Sequence, residues 1–542
     1  MKKFLNKAKD TFNDHQASSS FPFQSQPQAP LSQASLPSSI RPPTVTDLLR
    51  YRYHNGTNLG SIFVLEKWLH GSMFPKSSTG SSELDAVSAS LRESGLDATR
   101  QKWENHWRNA LTDQDLQWLV NTAKCTSIRL PIGYFTLGPG YCRGTPFEQA
   151  GEVYAGAWNA VKDLIGRARA YGIGVLIDMH ALPGGGNKDA HSGSGTGKAE
   201  FWGSRRNMDL AKHALVFIAQ EVSRGGPLEG VIGIQLVNEA AWQAKGMYSW
   251  YDEVINEIAR VDGSIPIYVS DAWDLNKALE WANKRHCLKG APPNPVVIDT
   301  HKYYTFDEKH KSKSPPEIIG SIGGELGELD GKSGSIADRG EGQVVIGEWS
   351  CVLDGKTWAR VRSEEKDGLE RQFGQAQSKK WQERAGGSYF WTFKMDWMDG
   401  GGWGFKQQVK AGNVSPPPAL TLSAQDVRSR TQHAQSQRQS MADNGRRSHE
   451  DYWTKTSPGK KFEHHLFSEG WDVGFSDAQR FFSMRADGAL GPRAGDGGDK
   501  IGCVEIWTKK RLLESGNRGE FLWEWEQGFR SGGGAFYHCV GV

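Results

Sequence analysis

The stretch GVIGIQLVNEA at residues 230–240 decides the fold of this chain, because a nearly continuous apolar run ends in an asparagine and a glutamate. Apolar runs of this kind are typical of parallel strands that are buried on both faces. A second run, QVVIGEWSCV at 343–352, carries Glu348 after its apolar half. Each pattern predicts a buried strand that delivers a carboxylate to the edge of a parallel sheet.

Six further runs of this kind alternate with stretches that have helical periodicity. The eight predicted strands cover 54–64, 126–135, 172–181, 230–240, 266–273, 295–304, 343–352 and 388–395. Eight strand–helix alternations favour an α/β fold of the closed (β/α)8 TIM-barrel type, with an open doubly wound sheet as the alternative. Polar residues gather at the C-terminal ends of all eight runs, whereas an open sheet uses only the strands around its switch point. We therefore predict the barrel.

The rest of the chain divides into regions by composition. Residues 1–45 are rich in Ser, Pro and Gln, and we predict a disordered tail because this composition cannot bury enough apolar surface. The barrel, as a catalytic domain, should cover 46–412. The polar stretch 413–458 reads as a low-complexity linker or long loop. Residues 459–542 are rich in aromatics and predict a mainly helical extension packed on the barrel.

Two features of the extension bear on its organisation. EGWDVG at 469–474 and QGFRSG at 527–532 share a glycine spacing, which suggests an internal duplication. His464 and His465 adjoin, so on a helix they lie on neighbouring faces and make a poor metal pair. We interpret them as ordinary surface histidines.

The charge balance and the cysteines exclude several classes of protein. The net charge of +3 gives no strong field, so neither nucleic acid nor an acidic membrane is predicted as a partner. The N-terminus has lysines without the apolar core of a signal peptide, and no run of about 18 apolar residues predicts a membrane span. Six cysteines show no CxxC motif and no disulfide framework. We expect a cytoplasmic protein.

Glu239 and Glu348 are the candidate catalytic residues. Each follows an apolar strand, so both should project from the barrel rim into one cleft. Retaining glycoside hydrolysis requires such a pair, in which one carboxylate attacks the anomeric carbon and the other acts as acid and then as base. A salt bridge or a helix cap would explain either glutamate alone. It does not explain both together with the other polar strand ends.

These residues resemble the signature of glycoside hydrolase family 5, a member of the 4/7 barrel superfamily. The resemblance covers about 50–405, with Asn238-Glu239 on the fourth strand and Glu348 on the seventh. It implies a glucosyl-binding site that comprises Arg129, His180, Asn238, Glu239, His301, Tyr303, Glu348 and Trp391. Further candidates are Glu66 and His191, for distal sugar hydroxyls, and Phe306, for stacking on the sugar beyond the cleavage point.

The resemblance also implies roles for these side chains. Glu348 should be the nucleophile, kept ionised by Arg129, and its charge should raise the pKa of the acid/base, Glu239. His301 should hold Glu239, and Tyr303 should hydrogen-bond the nucleophile. The remaining three residues should bind sugar: Asn238 at the 2-hydroxyl, His180 at another hydroxyl and Trp391 as a stacking floor joined to the next residue by a cis peptide bond. No metal or organic cofactor is predicted.

Within the family, NGTNLGSIFVLEKWL at 55–69 resembles the fungal exo-β-1,3-glucanase branch, and more closely its intracellular glucan 1,3-β-glucosidase group. This implies exo action on β-1,3-glucan, its oligosaccharides or another β-glucoside. One departure is Asp189, which stands where the secreted enzymes have a second clamping phenylalanine. Two alternatives stay open: a β-glucosidase for a steryl or ceramide glucoside, and a catalytically silent glucan-binding barrel.

Overall fold

The computed structural model describes residues 40–193, 195–286, 288, 294–330, 336–340 and 342–542. Within them, eight parallel strands close into a barrel in chain order. The strands are β1 (His54–Asn58), β2 (Ser127–Gly133), β3 (Gly174–Ala181), β4 (Val231–Gln235), β5 (Ile267–Ser270), β6 (Val296–Tyr304), β7 (Gln343–Leu353) and β8 (Gly387–Phe390). Each overlaps the run that predicted it, so the predicted barrel is confirmed. Residues 1–39 of the predicted disordered tail lie outside the described residues.

Helices cover the barrel and form the extension. In the first part of the chain they are α1 (Val45–Tyr51), α2 (Glu83–Arg108), α3 (Asp113–Asn121), α4 (Pro139–Cys142), α5 (Ala157–Ala170), α6 (Arg205–Ser223), α7 (Met247–Ala259), α8 (Leu275–His286), α9 (Glu308–Lys311), α10 (Pro315–Ser321), α11 (Ile336–Arg339), α12 (Gly355–Trp358), α13 (Lys366–Arg384) and α14 (Phe405–Lys410). The last four are α15 (Ala424–Thr456), α16 (His464–Ser483), α17 (Val504–Ser515) and α18 (Leu522–Val540). None of the helices in the described part of the chain combines the length and apolar character needed to cross a bilayer.

The barrel strands are buried on both faces, which explains their apolar composition. Every residue of β2 and of β3 is buried, as expected where one face lines the barrel and the other meets the helices. The register also brings polar strand ends together. Asn58 of β1 pairs with Arg129 of β2, and His301 of β6 pairs with Glu348 of β7. Their side chains consequently reach the same end of the barrel.

The C-terminal extension packs against the opposite end of the barrel. One buried apolar cluster contains barrel residues such as Leu176 and extension residues such as Trp525. Arg52, which precedes β1, ion-pairs with Asp499 at 3.3 Å between Nη1 and Oδ1, and both side chains are buried. A buried ion pair specifies one arrangement of its partners, because separation would leave a charge without compensation. The mainly helical extension was predicted correctly.

The prediction of a linker or long loop over 413–458 is wrong for α15, a helix of 33 residues. Ser423 caps its N-terminus, and Asp426 completes the capping box. Along α15 the buried residues are few, among them Val427 and Trp453. Because most of the helix faces solvent, its composition is as polar as that of a linker, and only its sparse apolar positions reveal the packed face.

Glycines bring α16 and α18 into close contact. A Cβ on Gly470 would lie 2.0 Å from the carbonyl oxygen of Trp525, and one on Gly528 would lie 2.0 Å from that of Phe467. The same glycine-to-carbonyl contact recurs one turn further along both helices, at Gly474 and Gly532. Because residue numbers rise in the same direction on both helices, the helices run parallel. The two sequence repeats thus meet in equivalent contacts across a local pseudo-two-fold axis, and a residue with any side chain would force the backbones apart.

Candidate active site

Arg129 of β2 lies at the centre of the polar end of the barrel. Its guanidinium donates to Glu348 Oε1 at 2.9 Å and to Asn238 Oδ1 at 2.7 Å, and it lies 3.1 Å from Asp178 Oδ2. Burial alone would lower the pKa of Arg129, but the carboxylates of Asp178 and Asp299, followed by Glu348, outweigh burial and raise it. Arg129 therefore contributes a permanent positive charge beneath the site.

Glu348 of β7 has both carboxylate oxygens held in place. Beside the guanidinium contact on Oε1, the Tyr303 hydroxyl donates to Oε2 at 2.8 Å, and His301 Nδ1 lies 3.5 Å from that oxygen. The residue before Glu348 is Gly347, and a Cβ at this position would lie 1.9 Å from Asp299 Oδ1. The absence of a side chain at Gly347 therefore lets β7 lie close to the Asp299 carboxylate.

Glu239 follows β4 with a left-handed backbone, at φ 43°. A non-glycine residue adopts this conformation at an energetic cost, and such strain concentrates at functional sites. His301 Nδ1 lies 2.8 Å from Glu239 Oε1, and His191 Nε2 lies 3.4 Å from Oε2. Glu239, His301 and Glu348 each offer an atom within 4.8 Å of the others. The two predicted catalytic carboxylates consequently face each other across a short gap.

The pKa values of this group differ from the sequence-based expectation. Burial would raise the pKa of Glu239, but the hydrogen bond and charge of His301 lower it to about 2. Burial would lower the pKa of His301, but Glu348 and Asp299 raise it well above its usual value. The Glu239–His301 pair thus holds one proton, mainly on the imidazole. The pKa of Glu239 is therefore lowered and not raised as expected, because the contact with His301 and the charges of His191 and His180 outweigh burial.

His180, Asn238 and Trp391 line one wall of the pocket. Asp178 Oδ2 lies 2.7 Å from His180 Nδ1, which assigns the ring proton to Nδ1 and leaves Nε2 to face Asn238 Nδ2 at 3.4 Å. The His180 ring stacks on Trp391 with centroids 5.9 Å apart and planes 11° apart. The peptide bond from Trp391 to Thr392 is cis, as the resemblance implied.

Glu66 and His191 lie beside this wall. Glu66 is buried, and Trp68 Nε1 donates to its Oε2 at 2.8 Å. Burial raises the pKa of Glu66, while His191 and His180 oppose the shift. The His191 and His180 rings lie 5.3 Å apart. Burial lowers the pKa of His191, but the charges of Glu239, Glu66 and Glu348 together outweigh burial and raise it. Both predicted residues therefore belong to the same polar group as the two carboxylates.

An aromatic rim surrounds the mouth of the barrel. Phe306 is 63% exposed and packs on Tyr303 and Trp403, with centroids 5.4 and 6.1 Å away. Trp273 is 53% exposed, and its ring lies 6.3 Å from that of His301. The rim comprises residues that follow strand ends: Trp68, Trp242, Trp273, Phe306, Trp397 and Trp403. Apart from Phe306, sequence reasoning missed these positions, although the 21 tryptophans of the chain were a signal.

Sequence reasoning also missed the buried polar residues beneath the site. Asp299 Oδ2 lies 3.1 Å from His301 Nε2, and Gln235 joins Asp299 to Arg129 through hydrogen bonds of 2.6 and 3.0 Å. The available signal was a polar residue inside an apolar run. Asp178 precedes His180 by two residues, as Asp299 precedes His301, so each pair shares one face of its strand.

Two carboxylates that meet at the C-terminal end of a closed (β/α)8 barrel, among polar side chains and beneath exposed aromatics, define a glycoside hydrolase. Comparison with family models agrees. Residues 89–381 match the cellulase model of glycosyl hydrolase family 5, and residues 434–540 match the glucan 1,3-beta-glucosidase 3 C-terminal domain. The chain belongs to glycosyl hydrolase family 5, and the resemblance drawn from the sequence is confirmed.

Known relatives extend this similarity over most of the chain. Glucan 1,3-beta-glucosidase 3 of Schizosaccharomyces pombe is 32% identical over 90% of this chain and 95% of its own length. An uncharacterized glycosyl hydrolase of Saccharomyces cerevisiae is 31% identical over 90% of this chain and 91% of its own. Among solved structures, rutinosidase from Aspergillus niger matches with a TM-score of 0.51 at 17% identity, over 68% of this chain and 99% of that one. That last likeness concerns the fold alone.

Proposed function

We propose that the protein is a retaining β-glucosidase that removes glucose from the non-reducing end of β-1,3-linked glucan oligosaccharides. Glu348 is the nucleophile and Glu239 the acid/base. The observation that carries this proposal is the short gap between the carboxylates, which approach within 4.8 Å. Retaining enzymes place their carboxyl groups about 5 Å apart, whereas inverting enzymes leave a wider gap for water.

In the first step Glu348 attacks the anomeric carbon while Glu239 protonates the glycosidic oxygen. The carbon–oxygen bond to the leaving group breaks, and a glucosyl ester forms on Glu348. The proton comes from the Glu239–His301 pair, whose Nδ1 and Oε1 atoms lie 2.8 Å apart. Asn238 is positioned for its role at the 2-hydroxyl, because Arg129 holds its Oδ1 at 2.7 Å and leaves the amide NH2 group to donate.

In the second step Glu239 acts as a base. It takes a proton from water, the oxygen attacks the anomeric carbon and the ester bond to Glu348 breaks. The product is β-glucose, and the proton returns to the Glu239–His301 pair. The contacts of Arg129 and Tyr303 with Glu348, at 2.9 and 2.8 Å, stabilise the departing carboxylate.

Glu66 and His191 support exo action. Both residues lie next to His180. Their side chains can hydrogen-bond the free hydroxyls of a terminal glucose, to which no further sugar is attached. Digestion of laminari-oligosaccharides with analysis of the earliest products tests this proposal. We expect glucose and the oligomer shortened by one unit, whereas early release of larger fragments would contradict it.

Trapping the covalent intermediate tests the assignment of the nucleophile. A 2-deoxy-2-fluoro-β-glucoside with a good leaving group should inactivate the protein, and the label should map to the peptide that contains Glu348. Glu348→Gln is the matched control, because it keeps the shape of the side chain and should take no label. For the acid/base, Glu239→Ala with azide should yield β-glucosyl azide. Label on another residue, or an α-configured first product, would refute the mechanism.

A second candidate is a β-glucosidase for a glucolipid such as a steryl or ceramide glucoside. The observation that favours it is the aromatic rim, in which Trp242 is 64% exposed and Trp273 lies close to His301 on the acid/base side. Apolar leaving groups bury well against such rings. Comparison of kcat/KM for a steryl glucoside in detergent with that for laminaribiose discriminates the two. A large preference for the steryl glucoside would replace the first proposal.

We propose that the protein acts in a reducing compartment, such as the cytoplasm. The support is the state of its cysteines: Cys125, Cys142, Cys351, Cys503 and Cys539 are free in the described part of the chain. Proteins of oxidising compartments are the ones in which disulfides form and persist. A fluorescent fusion of the full chain, imaged with a cytoplasmic and a secretory marker, tests this location.

A further inference from the structure

Three ligand-type side chains converge in the C-terminal extension, outside the active site. His449 of α15, His464 of α16 and Glu524 of α18 each present one ligand atom, and the three atoms lie within 4.8 Å of one another. We propose that they form a binding site for a divalent transition metal of the Zn²⁺ type, which ties the three helices together. Below, they are called the His–His–Glu cluster.

The geometry directs both imidazoles at one oxygen. His449 Nε2 and His464 Nδ1 each lie 2.9 Å from Glu524 Oε2. The backbone N–H of Glu463 donates to the other oxygen, Oε1, at 2.9 Å. This contact fixes the carboxylate so that Oε2 faces the histidines. An outer-shell hydrogen bond that orients a ligand in this way is a usual feature of metal sites.

The donor set suits a borderline cation. Two imidazole nitrogens and one carboxylate oxygen are ligands that Zn²⁺ binds tetrahedrally, with the fourth position filled by water. Each neutral imidazole can move its proton to the other ring nitrogen, so that the nitrogen facing Glu524 becomes a metal donor without net loss of a proton. The buried carboxylate of Glu524 then contacts the metal cation in place of two N–H donors.

The surroundings give the cluster a rigid base and one route of access. The side chains of Glu524 and His449 are 0% and 1% exposed, whereas that of His464 is 25% exposed. The His449 ring stacks on Phe467 with centroids 4.2 Å apart, and Trp523 packs nearby. A metal ion can therefore enter past His464 and meet two ligands that packing already holds in place.

Sequence reasoning excluded this site because it considered His464 only with its neighbour His465. The partners of His464 come from positions 449 and 524, on two other helices. The adjacent histidine supplies a matched control, since His465 is exposed in the same helix while His464 points into the cluster.

Metal titration of the full chain tests the proposal. All proteins carry Glu348→Gln, which removes one ligand from the Glu239–His301–Glu348 group at the active site. After removal of metal with EDTA, we expect one equivalent of Zn²⁺ to bind per chain and to raise the melting temperature. Co²⁺ should give the intense visible absorption of a tetrahedral site.

In that background, His465→Ala should bind Zn²⁺ as the parent does. His464→Ala and Glu524→Gln should bind at least about tenfold more weakly and should lose the Co²⁺ absorption. His464 is partly exposed, so its replacement should leave a folded protein even if Glu524→Gln does not fold. Absence of saturable binding in the parent, or equal binding by the His464→Ala and His465→Ala variants, would show that the cluster is a hydrogen-bonded network only.

Discussion

The polar mouth of the barrel and the helical extension beyond its other end are stabilised by different kinds of contact. At the mouth, side chains from several strands meet through charged hydrogen bonds, with Arg129 in contact with Glu348, Asn238 and Asp178 at 2.7 to 3.1 Å. Beyond the other end, α16 and α18 approach each other at glycines, and Gly470 and Gly528 each lie against the backbone of the neighbouring helix. One region consists of buried polar groups, and the other of backbone in direct contact.

The difference shows how the fold separates chemistry from stability. Buried charges are costly unless each is compensated, so the carboxylates of the mouth lie in contact with Arg129 and His301, and these contacts also position them. Close packing of helices requires no compensation of charge. It stabilises the fold through the burial of apolar surface and through dispersion contacts. We therefore expect substitutions at the mouth to alter turnover more than folding, and substitutions in the glycine contact to do the reverse.

The largest effect should come from Glu348→Gln. Loss of the proposed nucleophile should lower kcat by about 10⁴-fold or more, while the melting temperature should change little because Arg129 keeps Asp178 and Asp299 as partners. Steady-state kinetics with an aryl β-glucoside and a thermal melt measure the two quantities. Unfolding of this variant would contradict the separation of chemistry from stability.

Gly528→Val tests the other side of the comparison. The new side chain would overlap the carbonyl oxygen of Phe467, and overpacking of this kind costs about 1–3 kcal/mol or more in the free energy of unfolding. The folded fraction should keep its kcat. Urea denaturation followed by tryptophan fluorescence measures the loss.

Gly534→Ala is the matched control in the same helix, because a Cβ at that position meets nothing within 4 Å. Replacement of a helical glycine by alanine should stabilise the protein by about 0.5–1 kcal/mol. Equal destabilisation by both substitutions would mean that the glycine contact between α16 and α18 does not hold the extension together.

His301→Gln should change how stability depends on pH. The pKa of His301 is raised on folding, so its contribution is complete below pH 6.5 and is lost as pH rises through the raised value. The pKa of Glu239 falls from 4.5 to about 2, so its contribution is complete above pH 4.5 and is lost as pH falls toward 2. The melting-temperature advantage of the wild type over this variant should therefore be greatest between pH 4.5 and 6.5.

The same substitution should move the basic limb of the kcat/KM profile to lower pH. In the wild type the acid proton leaves a pair whose imidazole has a raised pKa, whereas in the variant it leaves Glu239 alone. His465→Gln, on the exposed side of α16, should leave both pH profiles unchanged. An unshifted basic limb in His301→Gln would mean that the shared proton is not the catalytic one.

The smallest effect concerns sugars beyond the cleavage point. The resemblance implies that Asp189 stands where a second clamp residue would lie, and its loop is anchored near Glu239 because Asn187 Nδ2 donates to the Glu239 carbonyl oxygen at 2.9 Å. Without the second ring, kcat/KM should rise less than about tenfold from laminaribiose to longer oligomers. Asp189→Phe should add a gain of several fold for the longer oligomers only. A steep rise in the wild type would contradict this interpretation of the loop.

Much of the fold could be predicted because barrel strands are buried on both faces and have few sequence solutions. The eight apolar runs and their polar ends identified every strand in the described part of the chain, together with the two carboxylates and the other matched strand-end residues such as Arg129 and His301. The solvent-facing helix Ala424–Thr456 could not be predicted, since a helix with so few buried positions has the composition of a linker. Asp178 and Asp299 were overlooked because an acidic residue inside an apolar run has no partner in the local sequence.

The sequence by itself determined the class of fold, the pair of carboxylates and the glycine repeats, since each depends on periodicity or on residue type at a fixed spacing. The tertiary structure alone decided which groups became neighbours. His301 came within 2.8 Å of Glu239, and this contact reversed the expected shift of the pKa of Glu239. Likewise His449, His464 and Glu524 met across three helices. Electrostatic and ligand interactions depend on distances of a few ångströms between segments far apart in the chain, and only folding sets those distances.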